Sequence, residues 1–159
     1  VFKTPVDNRT DYIKRLIGLP GDTVQFLNGR LFLNNKAIKK NKINNKHKIR
    51  CGPLRPEVNS FEETLPNGKK YIAVYNRQGS YMNSDEFKVP IGHYFFLGDN
   101  RDCSSDSRYL SKVGYVSSEN LVGKARIIFF SNDTISGSVL KFWNWNQSLR
   151  VERFFKLLK

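Results

Sequence analysis

The sequence has no long hydrophobic run, only two cysteines and few acidic residues. None of its apolar stretches approaches the roughly 20 residues that a membrane-spanning helix requires, and its start lacks the pattern of a signal peptide. It has 14 acidic residues and 27 lysines and arginines, which gives a net charge of +13 at pH 7. A charge of this size implies an anionic neighbour, either nucleic acid or the phospholipid surface of a membrane.

The two cysteines, Cys51 and Cys103, are too few for a disulfide framework. Neither has the spacing of a zinc ligand relative to His47 or His93, so we expect no metal and no cofactor. The sequence leaves open whether the two cysteines pair and whether the protein works in an oxidising compartment.

The 159 residues are 39% hydrophobic and 13% aromatic, which is enough for one globular domain with a core. Short apolar runs alternate with turn residues, and Asn28-Gly29 between two such runs is a strong hairpin signal. No stretch before residue 140 has apolar residues at helical spacing. We therefore predict an all-β, mostly antiparallel fold, built from hairpins into a partly closed barrel or sandwich.

We predict that residues 1–38 and 87–159 form the core of the fold and that residues 39–86 are a small inserted β lobe. The first part of this lobe, residues 39–55, has seven basic residues and no acidic one. A charge run of this kind is most simply a solvated surface.

The C-terminal residues differ from the rest of the chain in the spacing of their apolar side chains. Ser148 is a candidate N-cap, and the apolar residues after it fall at helical spacing: Val151, Phe154, Phe155 and Leu158. We predict a short basic amphipathic helix that closes the core or lies on a membrane interface.

Residues 98–108, here called the polar loop, contain no aliphatic side chain and follow an apolar run, residues 94–97. Their side chains are three carboxylates, two guanidiniums, three hydroxyls, an amide and a thiol. Charged groups held against a core must satisfy one another, because unpaired buried charge is expensive. The simpler alternative is a solvated loop whose ions pair in water.

A lysine in a predicted strand, residues 12–17, suggests what the polar loop does. Alternation places Lys14 on the same face as Tyr12 and Leu16, where apolar neighbours would desolvate the ammonium group. A lysine kept neutral in this way can act as the general base for a serine nucleophile. A hydroxyl of the polar loop would then orient the Lys14 amine by a hydrogen bond.

Two stretches, residues 12–22 and residues 98–108, resemble the two signature boxes of bacterial type I signal peptidases. The resemblance implies an all-β, membrane-associated serine protease with a Ser-Lys dyad. It would remove signal peptides from exported preproteins at the outer face of the cytoplasmic membrane, beside anionic phospholipids. The family resemblance implies no cofactor.

Four positions carry the family's catalytic roles by this resemblance. Lys14 matches the general base, and Ser104 matches the hydroxyl that hydrogen-bonds the lysine amine. Asp106 and Arg108 match the ion pair that orients the loop.

Five further positions match structural or substrate-binding residues of the family. Asp99 and Arg101 match charged positions that hold the loop together. Asp11, Tyr12 and Ile13 match the strand against which the substrate backbone pairs by β-augmentation.

The family's nucleophile lies in a Ser-Met segment before the lysine, and no serine precedes Lys14 here. We therefore expect the nucleophile to lie outside these 159 residues and the chain alone to be inactive. A basic β module that binds nucleic acid is the alternative function, but it leaves the acidic groups of the polar loop unexplained. A self-cleaving repressor-type peptidase would share the dyad but lacks such a loop. We accordingly expect no nucleic-acid partner.

Overall fold

The structure is a computed structural model, and it describes residues 1–48, 51, 57–76, 83–131 and 149–158. Short strands dominate it. In the first half of the chain they are β1 (Phe2–Lys3), β2 (Asp11–Tyr12), β3 (Arg15–Gly18), β4 (Thr23–Leu27), β5 (Arg30–Leu33), β6 (Lys36–Ala37), β7 (Lys39–Lys48), β8 (Glu57–Thr64) and β9 (Lys70–Asn76). In the second half they are β10 (Phe87–Lys88), β11 (His93–Leu97), β12 (Val116–Ser117), β13 (Ile127–Ile128) and β14 (Lys156–Leu157), with 3-10 helices at Ser118–Asn120 and Val151–Arg153.

The strands pair antiparallel in five small sheets. The larger sheets have the orders β10-β4-β5-β6, β12-β11-β3 and β7-β8-β9, and β1-β2 and β13-β14 are two-stranded. The predicted all-β, antiparallel class is therefore confirmed. Within the described residues no sheet closes on itself, and no helix there is long and apolar enough to cross a membrane.

The predicted hairpin at Asn28-Gly29 joins β4 to β5. Both turn residues have positive φ, 49° and 69°, as the tightest hairpin turns require. Alternate residues of the two strands are buried, as expected for strands with one face on a core: Val24, Phe26, Leu31 and Leu33.

Strand β11 has buried residues on both of its faces. Phe95 and Leu97 belong to the larger of two hydrophobic clusters, and Phe96 belongs to the smaller one with Phe2. Because the polar loop begins at Gly98, directly after β11, its first residue is anchored to both clusters.

The chain divides into two compact units, residues 1–123 and residues 124–159. The predicted division into a core and a lobe at residues 39–86 stays a prediction, although β7, β8 and β9 do form a sheet of their own.

The described end of the second unit is not the predicted amphipathic helix. After the 3-10 helix Val151–Arg153, the chain turns at Phe155, whose φ is +57°, and β14 pairs with β13. The amide of Phe155 donates to the carbonyl of Ile128, so it bonds across the ribbon and not along a helix. The helical spacing of the apolar residues therefore predicts the wrong secondary structure here. The candidate N-cap, Ser148, lies outside the described residues.

A buried ion pair joins the β7-β8-β9 sheet to the polar loop. The guanidinium of Arg101 donates to Glu63 Oε2 at 2.8 Å, and the two side chains are 1% and 0% exposed. The hydroxyls of Tyr71 and Tyr75 donate to the same carboxylate and accept from Arg101. Burial raises the pKa of both tyrosines, so both phenols stay protonated and keep donating.

Replacing Glu63 with alanine should lower the free energy of unfolding by about 3–5 kcal/mol, because Arg101 would be left as an uncompensated buried charge. Urea denaturation measures this loss. The matched control is Glu62→Ala, whose partner Lys70 is exposed and lies 3.1 Å away, and we expect it to cost at most about 1 kcal/mol. Equal losses in the two variants would contradict the assignment.

Candidate active site

Lys14 lies in a break between two strands and not within one. β2 ends at Tyr12 and β3 begins at Arg15, so the predicted continuous strand over residues 12–17 is interrupted at Ile13 and Lys14. Ile13 is exposed, and Lys14 is half-buried. The break turns the lysine toward the polar loop.

The amine of Lys14 donates a hydrogen bond to Ser104 Oγ over 2.5 Å. Burial lowers the pKa of Lys14, and the Arg108 guanidinium lowers it further, while the carboxylates of Asp106 and Asp99 oppose the shift. The Tyr12 ring, with its centroid 5.2 Å from Nζ, forms one wall of this environment. A neutral amine is therefore more accessible here than on the protein surface.

Ser104 is held in place by its contact with Gly98. A Cβ added at position 98 would lie 1.9 Å from Ser104 Oγ and 2.2 Å from its Cβ. Only glycine allows this approach. Ser104 itself is 9% exposed, so its hydroxyl is turned inward to the amine.

Asp106 and Arg108 form a buried ion pair beneath Ser104. The guanidinium of Arg108 donates to both carboxylate oxygens of Asp106, each at 2.8 Å, and the amide of Gly98 donates to the same carboxylate at 2.9 Å. Arg108 also donates to the backbone carbonyl of Arg101. The ion pair thus fastens both ends of the polar loop to each other.

The other two predicted charged positions face different partners. Asp99 accepts two hydrogen bonds from Arg15, at 2.7 and 2.8 Å, on the partly exposed side of the loop. Arg101 is buried and pairs with Glu63. The structure therefore brings Lys14, Ser104 and the Asp106 carboxylate together, whereas Arg101 contacts the β7-β8-β9 sheet.

The predicted substrate strand borders the lysine. Asp11 and Tyr12 form β2, which pairs with β1 through Phe2 and Lys3; among the described strands β2 has no partner on its other edge. That edge has backbone groups available for an extended peptide. Ile13, next along the chain, is 68% exposed.

Sequence reasoning missed several groups that hold the site. Arg15 and Glu63 were not expected as partners of the loop, and a glutamate within a strand gives no signal of burial. The alternation of Tyr71 and Tyr75 could have placed both rings on one face. Among the described residues, no cluster of three or more His, Cys, Asp or Glu side chains could hold a metal ion.

The structure also answers the question of the cysteines. Cys51 and Cys103 form a disulfide with a Cα–Cα distance of 5.3 Å, and neither remains free. The bridge attaches the connection between β7 and β8 to the polar loop.

The chain is similar to known proteins over most of its length. A family model described as signal peptidase, peptidase S26, matches residues 1–130. Proteins named signal peptidase I from Rickettsia conorii and Rickettsia prowazekii are each 40% identical to it, over 179 and 173 aligned residues. These alignments cover 99% of this chain and 63% of each relative, so the chain spans less than two-thirds of their length.

A crystal structure of a signal peptidase I from Enterococcus faecalis is 26% identical, with a TM-score of 0.42, over 78% of this chain and 89% of that one. The match to the family model and the Rickettsia relatives show that the chain belongs to the signal peptidase family, peptidase S26.

Proposed function

We propose that this chain forms the catalytic core of a serine endopeptidase that removes signal peptides from exported proteins, with Lys14 as its general base. The observation that carries the proposal is the half-buried Lys14 amine, hydrogen-bonded to Ser104 Oγ at 2.5 Å. The family membership and the names of the relatives support the same reaction.

In this mechanism the neutral Lys14 amine takes the proton of a serine hydroxyl as that oxygen attacks the scissile carbonyl. Ser104 accepts one N–H of the amine, which leaves the nitrogen lone pair directed at the nucleophile. The ammonium then gives its proton to the leaving amine, and a water molecule repeats the sequence on the acyl-enzyme. The pair of Asp106 and Arg108 holds Ser104 in place throughout, while Asp99 and Arg101 hold the loop.

Ser104 is not the nucleophile in this proposal. Its hydroxyl is almost buried and lies against Gly98, so no peptide carbonyl could reach it without moving the loop. The attacking serine would come from outside these 159 residues. The relatives, of which the chain covers 63%, have the length to supply it.

We propose that the substrate binds as an extended strand along the unpaired edge of β2. Main-chain hydrogen bonds to residues 11–13 would hold the peptide, and shallow pockets beside Tyr12 and Ile13 would select small side chains. The lysine lies one residue beyond this edge. The scissile bond would therefore arrive next to the amine.

The proposed setting is the outer face of the bacterial cytoplasmic membrane. A net charge of +13 favours contact with anionic phospholipid. Leu157 of β14 is 71% exposed, and Phe129, directly after β13, is 75% exposed. The disulfide is typical of proteins outside the cytoplasm. We expect no nucleic-acid partner, because nucleic-acid binding would leave the polar loop, with its ion pairs Asp99–Arg15 and Asp106–Arg108, without a role.

Replacing Lys14 with methionine should abolish cleavage while the fold persists, because methionine keeps the apolar stem but cannot accept a proton. We expect a loss of at least about 100-fold in kcat/KM on a fluorogenic peptide with an Ala-X-Ala site, measured on the intact protein in detergent. Lys88→Met removes an exposed lysine, 80% accessible, and should cleave normally. Normal cleavage by the Lys14 variant would rule out the assigned base.

The rate should rise with pH through the lowered pKa of Lys14. The unprotonated amine is the active form, so kcat/KM should increase about tenfold per pH unit below this pKa and level off above it. Since burial lowers the pKa, the plateau should begin below the ordinary lysine value of 10.5. A profile that still climbs at pH 10.5 would show an ordinary, solvated lysine.

Gly98→Ala should displace Ser104, because the added methyl would overlap its hydroxyl. We expect a stability loss of about 1–3 kcal/mol from overpacking and a drop of about 100-fold in cleavage from misplacement of the amine's partner. Urea denaturation and the peptide assay report the two effects separately.

The double variant Gly98→Ala with Ser104→Gly removes the overlap and tests its origin. It should regain stability without regaining cleavage, because no hydroxyl remains to hold Lys14. If the single variant cleaves like the wild type, Ser104 has no positioning role.

A further inference from the structure

Three consecutive residues of the polar loop are attached to the β7-β8-β9 sheet and its connections. Arg101 pairs with Glu63 of β8, and Asp102 accepts a hydrogen bond from the amide of Asn76 at the end of β9. Cys103 is bonded to Cys51, between β7 and β8. The fourth residue, Ser104, faces the catalytic lysine.

Among the described residues, the backbone hydrogen bonds that fasten the loop lie on either side of residues 102–105. The amide of Arg101 donates to the carbonyl of Val74 at 3.0 Å, and the amide of Ser107 donates to the carbonyl of Phe96 at 3.0 Å. Between them the chain has turns and no regular secondary structure. Side-chain bonds and the disulfide therefore hold residues 102–105 in position.

The disulfide is the covalent attachment nearest to Ser104. It joins residues 52 positions apart in the sequence, and Cys103 is the residue directly before the serine. A bond at this place restrains the residue directly before the serine relative to Cys51. The hydrogen bond from Lys14 to Ser104 depends on that position, because hydrogen bonds weaken steeply with distance and angle.

We propose that the Cys51–Cys103 disulfide is a positioning element of the catalytic centre, which holds Ser104 against Gly98 and within reach of the Lys14 amine. This inference rests on the proposed function of Lys14 as the general base. Loss of the disulfide frees the segment around Ser104, so the amine loses its partner and gains water.

Reduction by dithiothreitol removes the bond without a substitution. One thiolate of the reagent attacks the disulfide, and its second thiol then displaces the remaining protein sulfur. The two protein sulfurs end as thiols, and the reagent leaves as its cyclic disulfide, so two electrons and two protons pass to the protein. The double variant Cys51→Ser with Cys103→Ser gives the same state permanently.

The test measures the pKa of Lys14 in the intact protein, from the pH dependence of its acetylation rate read by mass spectrometry. Burial is the largest cause of the lowered pKa, so exposure of the amine should raise the pKa toward its ordinary value. We expect the pKa of Lys14 to rise toward its ordinary value in the reduced protein and in the double variant, which lowers the fraction of neutral amine at neutral pH.

Val58→Ala is the matched control for a merely structural effect. Val58 is buried in β8, 3% exposed, and is a member of neither the loop's ion pairs nor the disulfide, so its truncation should lower stability by about 1–3 kcal/mol. This variant should keep the Lys14 pKa of the wild type. A rise as large as that of the disulfide-free forms would overturn the proposal.

An unchanged Lys14 pKa in either disulfide-free form, with circular dichroism showing that the form is folded, would also overturn it. Peptide cleavage, run in parallel, separates this proposal from the proposed function. If the pKa responds to the disulfide but even the oxidised protein cleaves no peptide, the proposed function is wrong and the positioning role stands. If the oxidised protein cleaves and the reduced protein cleaves equally, the positioning role is wrong.

Discussion

The hydrogen bond from Lys14 to Ser104 is the contact on which the site depends. An ammonium group in water stays protonated at neutral pH, so a lysine can serve as a base only where burial disfavours its charge. A desolvated amine without a partner would point in many directions. Ser104 removes this freedom, and Gly98, Asp106 and Arg108 in turn leave Ser104 one position to occupy.

The charged groups around the lysine are arranged so that each has its own partner. Asp106 binds Arg108, Asp99 binds Arg15, and Glu63 binds Arg101. Because each carboxylate forms an ion pair with an arginine, the positive charge of that arginine partly offsets the electrostatic attraction between the carboxylate and the ammonium group of Lys14. Burial can then prevail, and the pKa of Lys14 falls although two carboxylates lie nearby.

The sequence predicts the parts of this structure that follow from local rules. Alternation and the Asn28-Gly29 turn identify the β4-β5 hairpin, and the two motif stretches identify the lysine and its loop. The prediction of a C-terminal helix was wrong, because the spacing of apolar residues alone cannot show that the amide of Phe155 bonds across a ribbon. The partners Glu63 and Cys51 are distant in sequence from the loop, and only the fold brings such residues together.

Strand β7 is an edge strand of its sheet, ten residues long, and five of these residues are lysine. Lys40 packs over the rings of Phe61 and Tyr75, while Lys39 and Lys42 are exposed. A long bare edge is a template on which a second copy of the strand could add. Two such edges laid side by side would bring rows of like charge together in a low-dielectric contact. The same lysines that make the chain basic thus oppose edge-to-edge aggregation.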